Sequence, residues 1–316
     1  MTKTQVLFDR ARTEIGKVVV SSGPTVDLLL IAMLCEGHIL LEGPPGTAKT
    51  LLIRTLSRVL DLETQRIQFT PDLMPADILG TQTMDLETNR FHLRTGPIFT
   101  DLLLADEINR APAKTQSALL QAMMEGQVSI DRESLSLGKF FMVCATQNPV
   151  EMEGTYPLPE AQLDRFLFKI DVDYPEESDE NAILERHHIS ARAKDLDSFG
   201  LEIVANAEAL LLAREEIDAV QVRSEVVAYV TKLARRTREH PSLVLGASTR
   251  GALMMLVGAK AWAAHDGRNF VTPDDVKAVA MPALRHRLQL HPAALIEGVS
   301  ADAVVAEILQ QTEIPR

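Results

Sequence analysis

Short apolar runs, separated by segments of helical spacing, dominate the first half of the chain. Candidate strands lie at residues 39–41, 66–69, 101–107, 140–146 and 168–172. Strands of this kind that are followed by helical patterns pair in parallel, because each connection has room for a helix. We therefore predict an α/β fold whose parallel sheet carries helices on both faces.

Two further segments alternate apolar and polar residues about a polar turn, which is typical of β-hairpins. The first covers residues 81–98 with its turn at 87–89, and the second covers residues 128–137 with its turn at 131–133. We expect the first hairpin to be a surface excursion from the sheet domain.

Helical spacing predicts an entry helix within residues 4–20, a helix from Thr25 to near Gly37, and a helix over 113–125. Thr25 is the expected N-cap of the second helix. Pro175 and the acidic residues after it mark a boundary. We divide the chain into a sheet domain, a linker with the start of the helical part, and a helical domain, at residues 1–175, 176–200 and 201–316.

The part of the chain after the boundary is predicted to be mostly helical. Ser248 and Thr272 precede helix starts, and Thr272 is followed by proline and two acids, which favour a first helical turn. The candidate helices cover residues 179–194, 206–215, 222–238, 249–264, 273–280 and 301–310.

Residues 38–50 carry a specific chemical signal. A strand runs into a glycine-bearing loop that ends in Lys-Thr and continues as a helix, which is the context of a phosphate-binding loop. Backbone N–H groups and the helix N-terminus would face phosphate oxygens. We expect phosphate contacts from Gly43, Pro44, Pro45, Gly46, Thr47, Ala48, Lys49, Thr50 and Leu51.

Two positions in this loop have particular consequences. Lys49 would neutralise the outer phosphates, and the Thr50 hydroxyl would bind Mg²⁺. Ala48 stands where the general pattern has a second glycine. A methyl group there requires a negative φ, so we expect helical backbone at Ala48.

Polar side chains also follow the apolar strands at 101–107 and 140–146. Asp106 and Glu107 are adjacent carboxylates at a strand end, where one can serve the metal and the other the attacking water. Asn148 could orient that water, although Asn beside Pro is also a common turn. Arg250 falls in the first turn of a predicted helix, where the dipole disfavours a cation. It either has an anionic partner or is a solvated arginine.

Composition narrows the class of protein. The chain has 316 residues, a formal net charge of −12 and two cysteines, Cys35 and Cys144, both within apolar segments. The acidic balance argues against a protein that mainly grips duplex phosphates. Reduced buried thiols are expected. Because no signal peptide or long apolar run is visible, we expect a soluble, cytoplasmic protein without membrane insertion.

With its elements in this order, the chain resembles the AAA+ ATPases, and within them the MoxR family of the helix-2-insert clade. The match covers almost the whole chain. The stretches that carry it are GPPGTAKT at 43–50, QFTPDLMPADILG at 68–80, GPIF at 96–99, LADEINRAPAKTQ at 104–116 and QNPVEMEGTYPLPEAQLDRF at 147–166.

The resemblance implies a five-stranded P-loop sheet domain and a small helical lid over the nucleotide. It assigns Asn148 as the sensor-1 residue, Arg250 as the sensor-2 arginine and Arg165 as an arginine finger that acts on ATP of the neighbouring subunit. Asp106 and Thr50 would serve Mg²⁺, Glu107 would activate the water, and Arg250 would close the same subunit's site from the lid. Thr249 departs from the family's usual proline.

The same resemblance implies an assembly and a role. The hairpins become the helix-2 insert and the pre-sensor-1 insert, both facing the pore of a homo-oligomeric ring, expected to be a hexamer. Its implied activity is Mg²⁺-dependent ATP hydrolysis coupled to remodelling of a protein client or a metalloenzyme complex. Relatives often have partners with von Willebrand factor A domains.

Three other interpretations stay open. A metal-chelatase ATPase subunit would differ chiefly in its client. A nucleic-acid motor would share the clade, but the acidic balance and the absence of a recognisable DNA-binding module speak against it. A nucleotide-switched scaffold would cycle slowly or not at all, whereas Glu107 and Arg165 favour competent chemistry. No residue names the client.

Overall fold

Eleven strands lie in the part of the chain that the computed structural model describes, namely residues 1–20, 22–85, 90–130, 133–149, 154–187 and 196–315. In chain order they are β1 (Ile39–Glu42), β2 (Thr64–Gln68), β3 (Gly80–Asp85), β4 (Arg90–Thr95), β5 (Leu102–Asp106), β6 (Gln127–Ile130), β7 (Glu133–Ser136), β8 (Met142–Gln147), β9 (Phe168–Asp171), β10 (Leu243–Leu245) and β11 (Gln289–Leu290).

Helices surround these strands and make up most of the C-terminal part. They are α1 (Lys3–Gly16), α2 (Gly23–Leu34), α3 (Lys49–Val59), α4 (Pro75–Leu79), α5 (Ala113–Glu125), α6 (Glu160–Leu163), α7 (Glu177–His187), α8 (Ala207–Asp218), α9 (Ser224–Glu239), α10 (Thr249–His265), α11 (Pro273–Leu284), α12 (Pro292–Ile296) and α13 (Ala301–Gln311).

The central sheet has five strands in the order β2-β5-β8-β1-β9, and every pair is parallel. The inner strands β1, β5 and β8 are mostly apolar and buried because both of their faces are covered, whereas the edge strand β2 is largely polar and exposed. In β1, Ile39 and Leu41 join the core on the side of α1, α2 and α3, whereas Leu40 joins a second core on the side of α5. The predicted five-stranded α/β sheet is therefore confirmed.

The first of these cores continues without interruption into the C-terminal helices α8 to α11 and α13. Helix α10 contacts α2, and α11 contacts β9. Gly258 in α10 permits close packing, since a Cβ there would lie 2.9 Å from the Phe168 ring. The helical lid domain is thus confirmed, while the boundaries at 175 and 200 remain predictions.

Both predicted hairpins are present as antiparallel pairs, β3 with β4 and β6 with β7. Their turn residues 86–89 and 131–132 lie outside the described residues. Helix α5 and the caps at Ser248 and Thr272 also agree with the prediction.

Several element boundaries were predicted wrongly. Helix α2 begins at Gly23 with Ser22 as N-cap, not at Thr25, because Pro24 in the first turn needs no intrahelical acceptor for its nitrogen. Helix α7 covers the first part of the predicted 179–194 helix, and residues 188–195 lie outside the described part. The short pair β10–β11 and helix α12 were not predicted, because such brief segments carry little periodicity.

Two further properties concern the helices and the cysteines of the described residues. In the described ranges, no helix combines the length and the apolar character that crossing a bilayer requires. Cys35 and Cys144 are free thiols, and burial raises the pKa of both, that of Cys35 to about 12.

Phe168 joins the sheet to the lid, so its truncation tests that contact. We expect Phe168→Ala to lower the free energy of unfolding by about 3 to 5 kcal/mol, because a buried ring leaves a cavity. Denaturant titration measures the loss. Phe270 is 44% exposed, and Phe270→Ala is the matched control, with an expected loss of about 1 kcal/mol or less. Equal losses for both would contradict the assigned packing.

Candidate functional site

The candidate site lies where three neighbouring strands end. β1 runs into the predicted phosphate loop, and the adjacent strands β8 and β5 end at Gln147 and Asp106. Because the strands are parallel, these ends share one edge of the sheet. A cavity of about 360 Å³ is lined there by Gly43, Pro45, Gly46, Thr47, Ala48, Lys49, Thr50, Leu51, Asp106, Glu107, Thr146, Gln147 and Asn148.

The loop needs glycine at two positions for different reasons. At Gly46 the backbone has φ +86°, a region that glycine adopts without a steric cost. At Gly43 a Cβ would lie 2.0 Å from the carbonyl oxygen of Val172, which follows β9. The neighbouring chain segment therefore excludes a side chain at Gly43.

Ala48 corrects one prediction. Its φ is +57° and its ψ is 17°, so its backbone is left-handed, not helical. The physical reason is that Ala48 is the N-cap of α3, and an N-cap residue lies outside the helical dihedrals. A left-handed conformation of an L-residue costs about 1 to 2 kcal/mol.

The start of α3 presents anion-binding groups to the cavity. Helix α3 has no side-chain cap, so its first N–H groups remain for an external acceptor. Lys49 Nζ lies 2.8 Å from Gly43 O and 2.7 Å from Pro44 O. Burial lowers the pKa of Lys49, whereas the charges of Asp106 and Glu107 raise it. The arrangement suits the phosphate groups of a nucleotide.

Thr146 joins the two carboxylate residues. Its hydroxyl donates to Asp106 Oδ1 at 2.6 Å and accepts the backbone N–H of Glu107 at 2.8 Å. This hydroxyl fixes the strand end from which both carboxylates project. Because Thr146 lies inside the apolar run at 140–146, no local pattern marks it as a site residue.

Glu107 is the residue that we expect to activate water. Its φ is +57°, and its side chain accepts a hydrogen bond from Gln68 at 2.7 Å and forms an ion pair with Arg110 at 2.9 Å. Both contacts reach Oε2, which leaves Oε1 without a contact from either residue. The carboxylate is therefore oriented by neighbours that sequence reasoning did not assign to the site.

The oxygen groups at this edge fit Mg²⁺. Asp106 Oδ2 accepts from Arg66 at 2.6 Å, so both of its oxygens are already hydrogen-bonded. No group of three or more metal-ligating side chains occurs among the residues that the structure describes. Mg²⁺ commonly uses one or two carboxylates with waters and substrate phosphates. Asp106 and the Thr50 hydroxyl are the residues that would hold it.

Asn148 lies directly after β8 and lines the cavity together with Glu107. It is 9% exposed. Its position agrees with the predicted placement beside the loop, and its role in orienting water remains a prediction.

Arg165 and Arg250 lie at the other edge of the sheet. Arg165 precedes β9, and the nearby Leu167 N–H donates to His38 O, just before β1. Arg250 Nη1 contacts Met124 Sδ at 3.4 Å. Met123, which precedes Met124 in α5, lies at that edge too, because its carbonyl oxygen is 3.1 Å from His38 Nε2.

The length of β1 separates this edge from the loop by roughly 15 Å. Neither arginine lines the loop cavity among the described residues. In this structure Arg250 therefore does not reach the loop cavity of its own subunit, and closure of that site by Arg250 from the lid stays a prediction. The lid packs on α2 and β9 instead, which holds the start of α10 away from the loop.

A second cavity of about 380 Å³ lies on the other side of the loop. Apolar residues from the segment after α1, from the segment after β9 and from α7 contribute to its lining, among them Val18, Val19, Tyr174 and Ile183. No described residue after Ile183 lines it, so in this structure the helices α8 to α13 do not cover this cavity. Sequence reasoning missed this cavity, because its residues come from unrelated parts of the chain.

The fold and the site define a class, the AAA+ ATPases with a C-terminal helical lid. A family model described as "ATPase family associated with various cellular activities (AAA)" matches residues 38–168, and one described as "AAA lid domain" matches residues 235–308.

Relatives narrow the class further. The chain is 42% identical to YeaC of Bacillus subtilis, covering 98% of this chain and 95% of that protein. It is 42% identical to Chaperone MoxR1 of Mycobacterium tuberculosis, covering 98% and 82%. A crystal structure from Cytophaga hutchinsonii superposes with a TM-score of 0.90 at 39% identity, covering 99% of this chain and 97% of that one. The chain belongs to the MoxR family of AAA+ ATPases.

The left-handed Ala48 generates a stability test. Ala48→Gly should raise the free energy of unfolding by about 0.5 to 1 kcal/mol, because relief of the left-handed strain exceeds the extra entropy of an unfolded glycine. Thermal unfolding and ATP titration measure stability and binding. Affinity should stay close to that of the unchanged protein.

Ala118 lies in the interior of α5 and offers a matched control. Ala118→Gly should lower stability by about 1 kcal/mol. A loss of stability in Ala48→Gly as well would show that the left-handed backbone is not a source of strain.

Proposed function

We propose that this chain forms a homo-oligomeric ring, a hexamer in the cytoplasm, that couples Mg²⁺-dependent hydrolysis of ATP to remodelling of a protein client. The observation that carries the proposal is the separation of the predicted charged groups between two edges of one sheet. The phosphate loop, Asp106, Glu107 and Asn148 line one cavity, whereas Arg165 precedes β9 at the opposite edge.

A ring brings the two edges together. In a heterologous interface one surface of a subunit meets a different surface of its neighbour, and repetition of that contact closes a ring. Arg165 and Arg250 would then offset charge on the phosphoryl group bound by the next subunit. In this proposal Arg250 acts on the site of the neighbouring subunit and does not close the site of its own subunit.

Within the cavity, the chain's residues divide the chemistry. Lys49 and the N–H groups of α3 would bind the outer phosphates, and Glu107 would accept a proton from the attacking water while Asn148 orients it. Bound Mg²⁺ would neutralise charge on the phosphate oxygens. The apolar cavity beside Val19 and Tyr174 would take the base of the nucleotide.

The use of this chemistry is proposed from the hairpins and the relatives. A ring of this kind would present β3–β4 and β6–β7 to its pore, where they could contact a client. The name Chaperone MoxR1 of the Mycobacterium tuberculosis relative supports a protein client. A partner with a von Willebrand factor A domain and a metalloenzyme complex are the classes that the family resemblance implies.

Substitution at Glu107 separates binding from chemistry. Glu107→Gln should retain ATP affinity and lose about 10²- to 10⁴-fold in turnover, because an amide cannot accept the proton. Lys49→Ala should instead lose tight ATP binding. Calorimetric titration and phosphate release distinguish the two effects. Turnover by Glu107→Gln at the unchanged rate would transfer the role of base to another residue.

Mixing of variants tests whether the site is shared between subunits. Arg165→Ala should lower turnover by about 10³- to 10⁵-fold, and Arg250→Ala should also lower it. Each, mixed with Glu107→Gln under assembly conditions, should regain activity, since the Glu107→Gln subunit supplies the missing arginine to an intact site.

The comparison requires an arginine that has no proposed role. Arg235 is an exposed residue of α9, and Arg235→Ala should leave turnover unchanged. A mixture no more active than its two components, in rings shown to exchange subunits, would place the arginines in their own subunit's site or outside the chemistry.

A further inference from the structure

The turn that carries Arg165 is held by one buried arginine of the lid. The Arg287 side chain is 1% exposed. Its Nε donates to Asp164 Oδ1 at 2.7 Å, and its Nη2 donates to Phe166 O at 2.6 Å and to Asp164 O at 3.1 Å. A further contact joins Nη1 to Leu167 O at 3.4 Å. One guanidinium thus binds the backbone on both sides of Arg165.

The same carboxylate also binds the helix that carries Arg250. Ser248 Oγ donates to Asp164 Oδ2 at 3.0 Å and accepts the Gly251 N–H at 3.0 Å as the N-cap of α10. Arg250 lies between Ser248 and Gly251 in the first turn of α10.

The approach of α10 to Arg287 is close. A Cβ at Gly251 would lie 2.7 Å from Arg287 Cδ. Asp164 is therefore contacted through its two oxygens by two separate parts of the lid.

We propose that Arg287 and Asp164 are positioning residues that hold Arg165 and Arg250 in one rigid unit. The inference rests on the proposed function, in which both arginines act on the nucleotide of the next subunit. A displacement of the lid then moves the two arginines together, because the turn at 164–167 and the start of α10 share the same carboxylate. The lid of one subunit thereby sets the geometry of catalysis in its neighbour.

The geometry favours this role over a general staple between the lid and the sheet. An arginine that only fastened the lid could bind any part of the sheet domain. Arg287 instead contacts three of the four residues of the turn at 164–167, namely Asp164, Phe166 and Leu167, and its side chain is almost fully buried. Among the described residues, no hydrogen bond or ion pair engages the Arg165 side chain itself, so its direction depends on the backbone of this turn.

Complementation between variants tests the proposal. Arg287→Met should lower turnover by about 10²-fold, since a displacement of about 1 Å in a charged group can have that effect. Its own ATP affinity should remain, because the loop cavity lies at the other edge. Mixed with Glu107→Gln, it should regain activity to the extent that Arg165→Ala does in the same mixture, because the deficient group is the one that it supplies to its neighbour.

The outcomes are distinct. Recovery in both mixtures supports the proposal. Recovery with Arg165→Ala but not with Arg287→Met, or full activity of Arg287→Met alone, overturns it. If Arg165→Ala itself does not recover in the mixture, the site is not shared between subunits and the proposed function is overturned. Failure of the proposed function is thereby distinguished from failure of the positioning role of Arg287.

Two further variants guard against loss of folding. Asp164→Asn combined with Arg287→Met removes both charges and leaves neither one buried alone, and it should show the same recovery. Arg268→Met removes another arginine of the lid, which pairs with Asp275 at 2.5 Å and lies away from the turn. Arg268→Met should lower the free energy of unfolding. It should not show the fall in turnover that mixing with Glu107→Gln reverses.

Discussion

The parallel pairing of β9 with β1 is the constraint on which the site depends. Leu40 pairs with Lys169 and Glu42 with Asp171, so residues that precede β9 must lie at the edge opposite the loop that follows β1. Arg165 precedes β9, and no side-chain rotamer can carry it across the length of a strand. The parallel pairing of two strands therefore places the phosphate-binding groups and Arg165 of one chain at opposite edges of the sheet.

The loop edge combines strain with a dense set of hydrogen bonds. Four non-glycine residues have positive φ in the described part of the chain, and two of them, Ala48 and Glu107, line the cavity. Such backbone persists where surrounding contacts determine it. At Glu107 these contacts are Thr146, Gln68 and Arg110. The carboxylate is thus oriented by its neighbours before any substrate contact.

Sequence reasoning predicted the elements that have a strong local pattern. The five sheet strands, both hairpins, α5 and the caps of α10 and α11 follow from periodicity, turn chemistry and capping residues. It failed at Ala48, where the helix start was placed one residue too early. It also missed Arg66, Thr146 and Arg287, because these residues act through pairs that are formed only when distant strands and helices meet. Arg287 and Asp164 are separated by 123 positions, and no local pattern relates them.

The position of the lid connects these observations. Because α10 and α11 continue the core of α2 and β9, the lid cannot move far without separating apolar surfaces that are fully buried. Small displacements of the lid remain possible, and they would carry the turn at 164–167 along, because Arg287 and Ser248 both bind Asp164. Interfaces of packed side chains tend to have discrete arrangements, so a small shift at one site can be passed to another. In the proposed ring, a lid that is anchored by an apolar core and joined to Arg165 through Asp164 would therefore be suited to transmit motion between subunits, and poorly suited to open and close over its own nucleotide.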